Sequence, residues 1–177
     1  MKIRIIGPCG SGKTYIAKEL SRKYNTPYYE LDNLVWNRTE VQRRNPVEVR
    51  DALLMDILRQ DSWIIEGVHY KWGMDSFRQA DIIVIIKPNK LTTQYRVVRR
   101  FIRTRLRVES SNYKQTLHNL YTMLFVWNKD YYSVSLPAIM NLTDVYSDKR
   151  VVIARNRDLH AIMEERLNNR EGINDYV

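Results

Sequence analysis

At 177 residues the chain has the length of one domain, enough to bury a core without disulfide staples. Its formal net charge of +9 points to anionic partners (nucleotides, phosphorylated substrates, nucleic acid or membrane lipid) without choosing among them. The single cysteine, Cys9, excludes an internal disulfide and fits a reducing cytoplasm, and the apolar runs 3–6 and 120–127 are too short for a signal peptide or a bilayer span.

Residues 2–6 read as a strand and 13–24 as a helix, joined by a glycine loop. Residues 27–31 form a short strand followed by Asp32. Residues 46–59 are helical, with Val49, Leu53, Leu54, Ile57 and Leu58 at helical spacing and Pro46 suited to the first turn. Residues 63–65 are a strand ended by Glu66-Gly67. The all-apolar run 82–86 is the pattern of a strand buried on both faces. Helices are expected over 90–107, 113–130 and 137–145, then a last strand at 151–154 and a last helix at 159–167. The tail from Asn168 is expected to fray. There is no internal repeat and no low-complexity linker. Strand-helix alternation of this kind predicts right-handed crossovers and a mostly parallel sheet. The expected organisation is one domain over 1–170, with a lid segment near 90–130 and a frayed end at 171–177.

The loop Gly7-Pro8-Cys9-Gly10-Ser11-Gly12-Lys13-Thr14 matches G-x-x-x-x-G-K-[ST] at every fixed position. Glycines let the backbone bend around an anion and aim its N–H groups inward. The helix that starts at Lys13 turns its positive end to the same place. Lys13 is expected on the β- and γ-phosphates of ATP, and the Thr14 hydroxyl on Mg²⁺. Cys9 fills a variable position, and a small filler suits it better than a redox role.

Such a loop needs a carboxylate at the end of a nearby strand to hold the metal's water shell. Lys87-Pro88 follows run 82–86 and supplies none. Asp32 and Glu66 are the candidates.

These pieces carry a resemblance. Trp63-Ile64-Ile65-Glu66-Gly67 resembles the strand of adenylate-kinase-type enzymes that ends in acid-glycine. That likeness places Glu66 beside the glycine-loop strand, facing Mg²⁺. Asp32 stands where shikimate-kinase-like enzymes keep a carboxylate at the acceptor hydroxyl. Taken in order, the loop, Leu31-Asp32-x-Leu34-x-Trp36, Trp63-Ile64-Ile65-Glu66-Gly67-x-x-Tyr70, Ala80-Asp81-Ile82-Ile83 and an arginine-rich helix resemble the FlaR-type "topology modulation" proteins over about four fifths of the chain. The resemblance implies an α/β fold: a three-layer P-loop NTPase sandwich around a five-stranded parallel sheet in the nucleotide-kinase-like order 2-3-1-4-5. It departs in two places. Val68-His69-Tyr70 stands where adenylate kinases have Phe-Pro-Arg, which removes the arginine that grips a monophosphate, and Lys71 lacks arginine's fork. Lys87 stands where many relatives carry an acid.

Residues 95–107 hold six arginines. On a helical wheel Arg96, Arg99, Arg100, Arg103 and Arg107 share one stripe, while Val97, Val98, Phe101, Ile102 and Leu106 cover the rest. A lid bringing arginines onto the transferring phosphate, a nucleic-acid stripe and a solvated face are the three readings, the lid leading because the stripe follows the fourth strand. Arg99 and Arg103, one turn apart, are the arginines expected on phosphate. Trp36, Tyr70 and Trp72 are candidate acceptor-pocket or packing aromatics, and His69 a loop histidine.

The expected activity is ATP-dependent phosphoryl transfer to a small hydroxyl- or phosphate-bearing acceptor, in a cytoplasmic monomer or homodimer with no membrane contact. The alternative is a nucleotide-dependent DNA-binding regulator. The expected catalytic set is Lys13, Asp32, Glu66, Arg99 and Arg103. The expected nucleotide set is Gly7, Gly10, Ser11, Gly12, Lys13, Thr14, Tyr15 and Arg155, with Thr14 and Glu66 serving Mg²⁺. Arg155 or Asn156 would flank the adenine in the resembled fold.

Overall fold

Strand β1 (Lys2–Ile6) is the middle of a five-stranded sheet whose order is β2-β5-β1-β6-β7, with β2 at Tyr28–Glu30, β5 at Trp63–Glu66, β6 at Ile82–Ile86 and β7 at Arg150–Ile153. All pairs in this sheet are parallel. Counted within the sheet, the order is the expected 2-3-1-4-5. The computed structural model describes residues 1–37, 43–106, 108 and 116–174, with the backbone alone for 167–174.

The register aligns the strand ends that matter. Ile5 pairs with Glu66, and Glu66 pairs with Glu30 on its other side. The carboxyl ends of β1, β5 and β2 therefore open side by side, the usual place for a ligand in an open α/β sheet.

Side chains alternate across the sheet. Ile3 and Ile5 join Ile16, Leu20, Val84, Ile86 and Met163 on one face. Ile6 joins Leu31, Phe77, Ile85, Tyr131 and Ile139 on the other. All five residues of β6 are buried, as its unbroken apolar run requires. Each such aliphatic side chain, fully buried, stabilises the fold by about 1.5–3 kcal/mol.

Helix α1 (Lys13–Tyr24) follows the loop, and α2 (Leu31–Val35) begins one residue after β2. A small antiparallel pair, β3 (Trp36–Asn37) and β4 (Arg43–Arg44), precedes α3 (Val47–Leu58). Helix α4 (Met74–Gln79) lies between β5 and β6. This pair and α4 were not expected from the sequence; each is too short to show a period. Helix α5 (Lys90–Arg105) carries the arginines, and Arg107 of the expected stripe lies outside the described residues.

The segment 117–142 is one helical run in five pieces: α6 (Leu117–Tyr121), a π-helical stretch Thr122–Trp127, α7 (Asn128–Asp130), a second π stretch Tyr131–Ser135, and α8 (Leu136–Leu142). It replaces the expected helices over 113–130 and 137–145, and residues 113–115 lie outside the described residues. Helix α9 runs Asp158–Asn174, seven residues past the expected end at 167; residues 175–177 of the tail are outside the described residues. No helix among the described residues is long and apolar enough to cross a membrane.

Candidate functional site

The loop between β1 and α1 takes the shape its glycines allow. Gly10 and Gly12 have φ of 75° and 90°, a left-handed region that other residues enter at a cost. Ser11 N–H donates to the Pro8 carbonyl at 3.2 Å, and Lys13 Nζ donates to the same oxygen at 3.0 Å. Ser11 is fully buried, and its Oγ has no hydrogen-bond partner among the described residues. An orphaned hydroxyl, a lysine curled over its own loop and a helix N-terminus make a donor set that fits a nucleotide's phosphates.

Helix α5 is packed on this loop. A Cβ on Gly10 would stand 2.7 Å from the Thr93 carbonyl oxygen and 2.9 Å from Val97. Gly10→Ala is therefore expected to cost about 1–3 kcal/mol through strain and displaced packing. The variant should melt lower and titrate ATP more weakly; an unchanged melting temperature would show that α5 yields freely.

Glu66 is 4% exposed at the end of β5, and its Oε1 accepts a 2.5 Å hydrogen bond from Thr14 Oγ1. The two expected metal-site residues are thus in contact. No group of three or more His, Cys, Asp or Glu side chains that could hold a metal occurs among the described residues. The pair Thr14–Glu66 instead fits Mg²⁺ as phosphate-bearing sites take it, through one or two protein groups with the rest supplied by phosphates and water.

Asp32, exposed on α2, has Oδ1 2.9 Å from His69 Nε2. The His69 ring packs on Trp72, with centroids 5.2 Å apart, and the Arg50 guanidinium lies 4.3 Å above the Trp72 ring centroid. His69 is thus a hydrogen-bond partner of Asp32. Sequence reading passed it over as a loop histidine because 37 residues separate the two.

Arg4 was missed altogether. It is fully buried on the inner face of β1, with its guanidinium 5.0 Å from the Phe77 ring centroid. Nη1 donates to Ile5 O at 2.6 Å and Nη2 to Gly67 O at 3.1 Å and His69 O at 2.8 Å. Burial pulls its pKa down to about 10, against the nearby Glu66 charge, so it stays protonated at neutral pH. Arg4 ties β1 to the turn that carries His69.

Of the α5 arginines, Arg96 reaches the loop, with Nη1 donating to Ser11 O at 3.0 Å. Arg100 lies against Met123 Sδ at 3.8 Å. Arg99 is exposed and Arg103 is half-buried further along the helix. The wheel grouped these residues on one stripe without showing which edge meets the loop. After β7, Asn156 Nδ2 lies 2.3 Å from where a Cβ on Gly12 would stand, while the Arg155 guanidinium pairs with Asp158 at 3.5 Å. Tyr15 points outward and donates to Glu19. Burial pushes the half-buried Cys9 thiol's pKa up, with Lys13 and Arg100 pulling against it, so the thiol stays protonated and suits a filler.

The sequence model of the family described as "AAA domain" matches residues 3–110. Among curated proteins, "Uncharacterized protein YqaC" of Bacillus subtilis (strain 168) is 26% identical over 84 residues, 48% of this chain and 47% of that protein. The match thus spans about half of that relative's length. Two solved structures share the fold at 15% identity: deoxyadenosine kinase from M. mycoides with bound dATP (TM-score 0.54, 95% of this chain and 100% of that one) and shikimate kinase from Aquifex aeolicus (TM-score 0.53, 97% and 99%).

Proposed function

The chain belongs to the AAA domain family, and from that premise we propose that it is a phosphotransferase, moving the γ-phosphate of ATP to a hydroxyl of a small acceptor. The observation that carries this reading is the alignment of two pairs at adjacent strand ends. Thr14–Glu66 joins the phosphate loop to the end of β5, and Asp32–His69 joins the segments that follow β2 and β5. One pair suits the nucleotide side, the other the acceptor side.

Backbone N–H groups of Cys9, Gly10 and Gly12, with the Ser11 hydroxyl, cradle the phosphates. Lys13 turns from Pro8 to the β- and γ-phosphates. Thr14 and Glu66 would hold Mg²⁺ and its water shell, and the ion would neutralise phosphate charge. Asp32, oriented by His69, accepts the proton of the attacking hydroxyl. Arg96, which already reaches the loop, offsets phosphate charge, and Arg99 and Arg103 add charge further along α5. Asn156 and Arg155 flank the base; Tyr15 borders the loop. The proposed setting is the cytoplasm, with a monomer or homodimer and no membrane partner.

The test is ADP release by the purified protein with Mg-ATP across nucleosides, nucleotides, sugars, small hydroxy acids and duplex DNA. Strong stimulation by one small acceptor is expected. The FlaR-type likeness supports a second reading, a nucleotide-dependent DNA-binding protein, through the arginines of α5. That reading expects DNA affinity that falls steeply between low and moderate salt. Stimulation by DNA alone, with such a salt dependence, would replace the kinase reading.

A further inference from the structure

Three segments meet beside Asp32, and one of them brings a cation that the phosphate loop does not use. Asn45, just before α3, donates from Nδ2 to Leu34 O and from its backbone N–H to Val35 O, both at 2.9 Å. These bonds pin the start of α3 to α2, the helix of Asp32. Gly73 sets the third segment against α3. Its φ is 73°, and a Cβ there would stand 3.0 Å from Leu54 Cδ2. Arg50 lies one helical turn before Leu54, and its guanidinium meets Trp72, the residue before Gly73.

The carboxylate and this cation are joined by an unbroken run of contacts. Asp32 Oδ1 meets His69 Nε2, the His69 ring meets Trp72, and Trp72 carries Arg50. Arg50 sits in the first turn of α3, where Glu48, Val49 and Asp51 are exposed, yet its own side chain is only 18% exposed. The indole holds it against the protein. Asp32 is also within electrostatic range of the phosphate loop, since its charge acts on the Cys9 thiol. Asp32 thus has the loop in reach and Arg50 three contacts away.

The fork of Arg50 is only partly used. Nε and Nη2 both reach Asp51 Oδ1, at 2.7 and 2.6 Å, while Nη1 has no hydrogen-bond partner among the described residues. The Asp51 side chain is 52% exposed, so this ion pair contributes little and can yield to a better-placed anion. Two further cations lie on aromatic rings of the same segments. Lys71 Nζ is 6.0 Å from the Tyr70 ring centroid, and the Arg44 guanidinium is 5.5 Å from that of Trp36, whose backbone N–H donates to Asp32 O. An uncharged acceptor would leave Nη1 unmatched, whereas a carboxylate or phosphate meets the fork with charge-assisted bonds.

We propose that Arg50 is the specificity-determining residue of the acceptor site, and that the acceptor is a small hydroxy compound bearing a carboxylate or phosphate, held by the Arg50 fork while its hydroxyl lies at Asp32. This rests on the kinase reading above and names its acceptor class.

The test is direct binding by calorimetry, without ATP, of two matched series: glycerol, glycerate and glycerol 3-phosphate, then glucose, gluconate and glucose 6-phosphate. At least one anionic member should bind the wild-type protein about tenfold or more tightly than its neutral parent, and whether that member is a carboxylate or a phosphate tells which anion the fork takes. Arg50→Gln should weaken it by about 10–100-fold, with ATP titrating both proteins alike. If glutamine lowers the melting temperature, Arg50→Met, which keeps an apolar stem on Trp72, must reproduce the loss. Neutral parents that bind as tightly as their anions, or no binding across both series, overturn the assignment. So does anion affinity unchanged in Arg50→Gln, which would leave Arg50 as a clamp on Trp72. ADP release with Mg-ATP across the same compounds is read separately. Anion binding that depends on Arg50 without any transfer refutes the kinase reading alone, whereas transfer to a neutral acceptor, unaffected by Arg50→Gln, refutes this assignment alone.

Discussion

Lys13→Ala is expected to lower phosphoryl transfer by about a thousandfold or more, with the fold intact. The loss follows from where the charge is used. In this structure the ammonium donates to the Pro8 carbonyl across the loop, a contact that contributes little to stability at a half-exposed position. At the transferring phosphate the same charge offsets negative charge that grows in the transition state, where one positioned cation is worth about 10³–10⁵ in rate. Turnover should collapse while the melting temperature stays within a degree or two. The measurement is ADP release in the presence of the stimulating acceptor, with circular dichroism as the folding control. Turnover equal to wild type would end the phosphate-cradle assignment.

Asp32→Asn should cut turnover by about 10²–10⁴ and leave ATP affinity nearly unchanged. Asparagine keeps the oxygen that meets His69, so the turn and the ring on Trp72 should hold their places. What it removes is a proton acceptor. Weakened ATP binding with intact turnover would place Asp32 on the nucleotide side instead. His69→Ala should fall between wild type and Asp32→Asn, because it loosens the carboxylate without deleting it.

How much of this was legible beforehand depended on whether the signal was local. Residues 7–14 carry their own geometry, since glycine spacing and the Lys-Thr pair dictate a cradle wherever they follow a strand. Glu66 was legible because a strand-ending acid beside that loop has few other uses, and it does meet Thr14. The sheet order came through resemblance rather than periodicity. Arg4 was illegible because an arginine alternating with isoleucines reads as the solvent side of a strand. Only the fold shows that β1 is central and covered on both faces. Arg96 shared its stripe with four other arginines, and choosing among them needed Thr93 and Val97 seated on Gly10.

The order of the sheet also sets a schedule for synthesis. The first strand made, β1, pairs with β5 and β6 and with nothing before residue 63. At about 5–20 residues per second, Ile3, Ile5 and Ile6 wait roughly 3–12 s before even one neighbour exists. A nascent chain halted before Trp63 therefore carries its future centre as an unpaired, aggregation-prone ribbon.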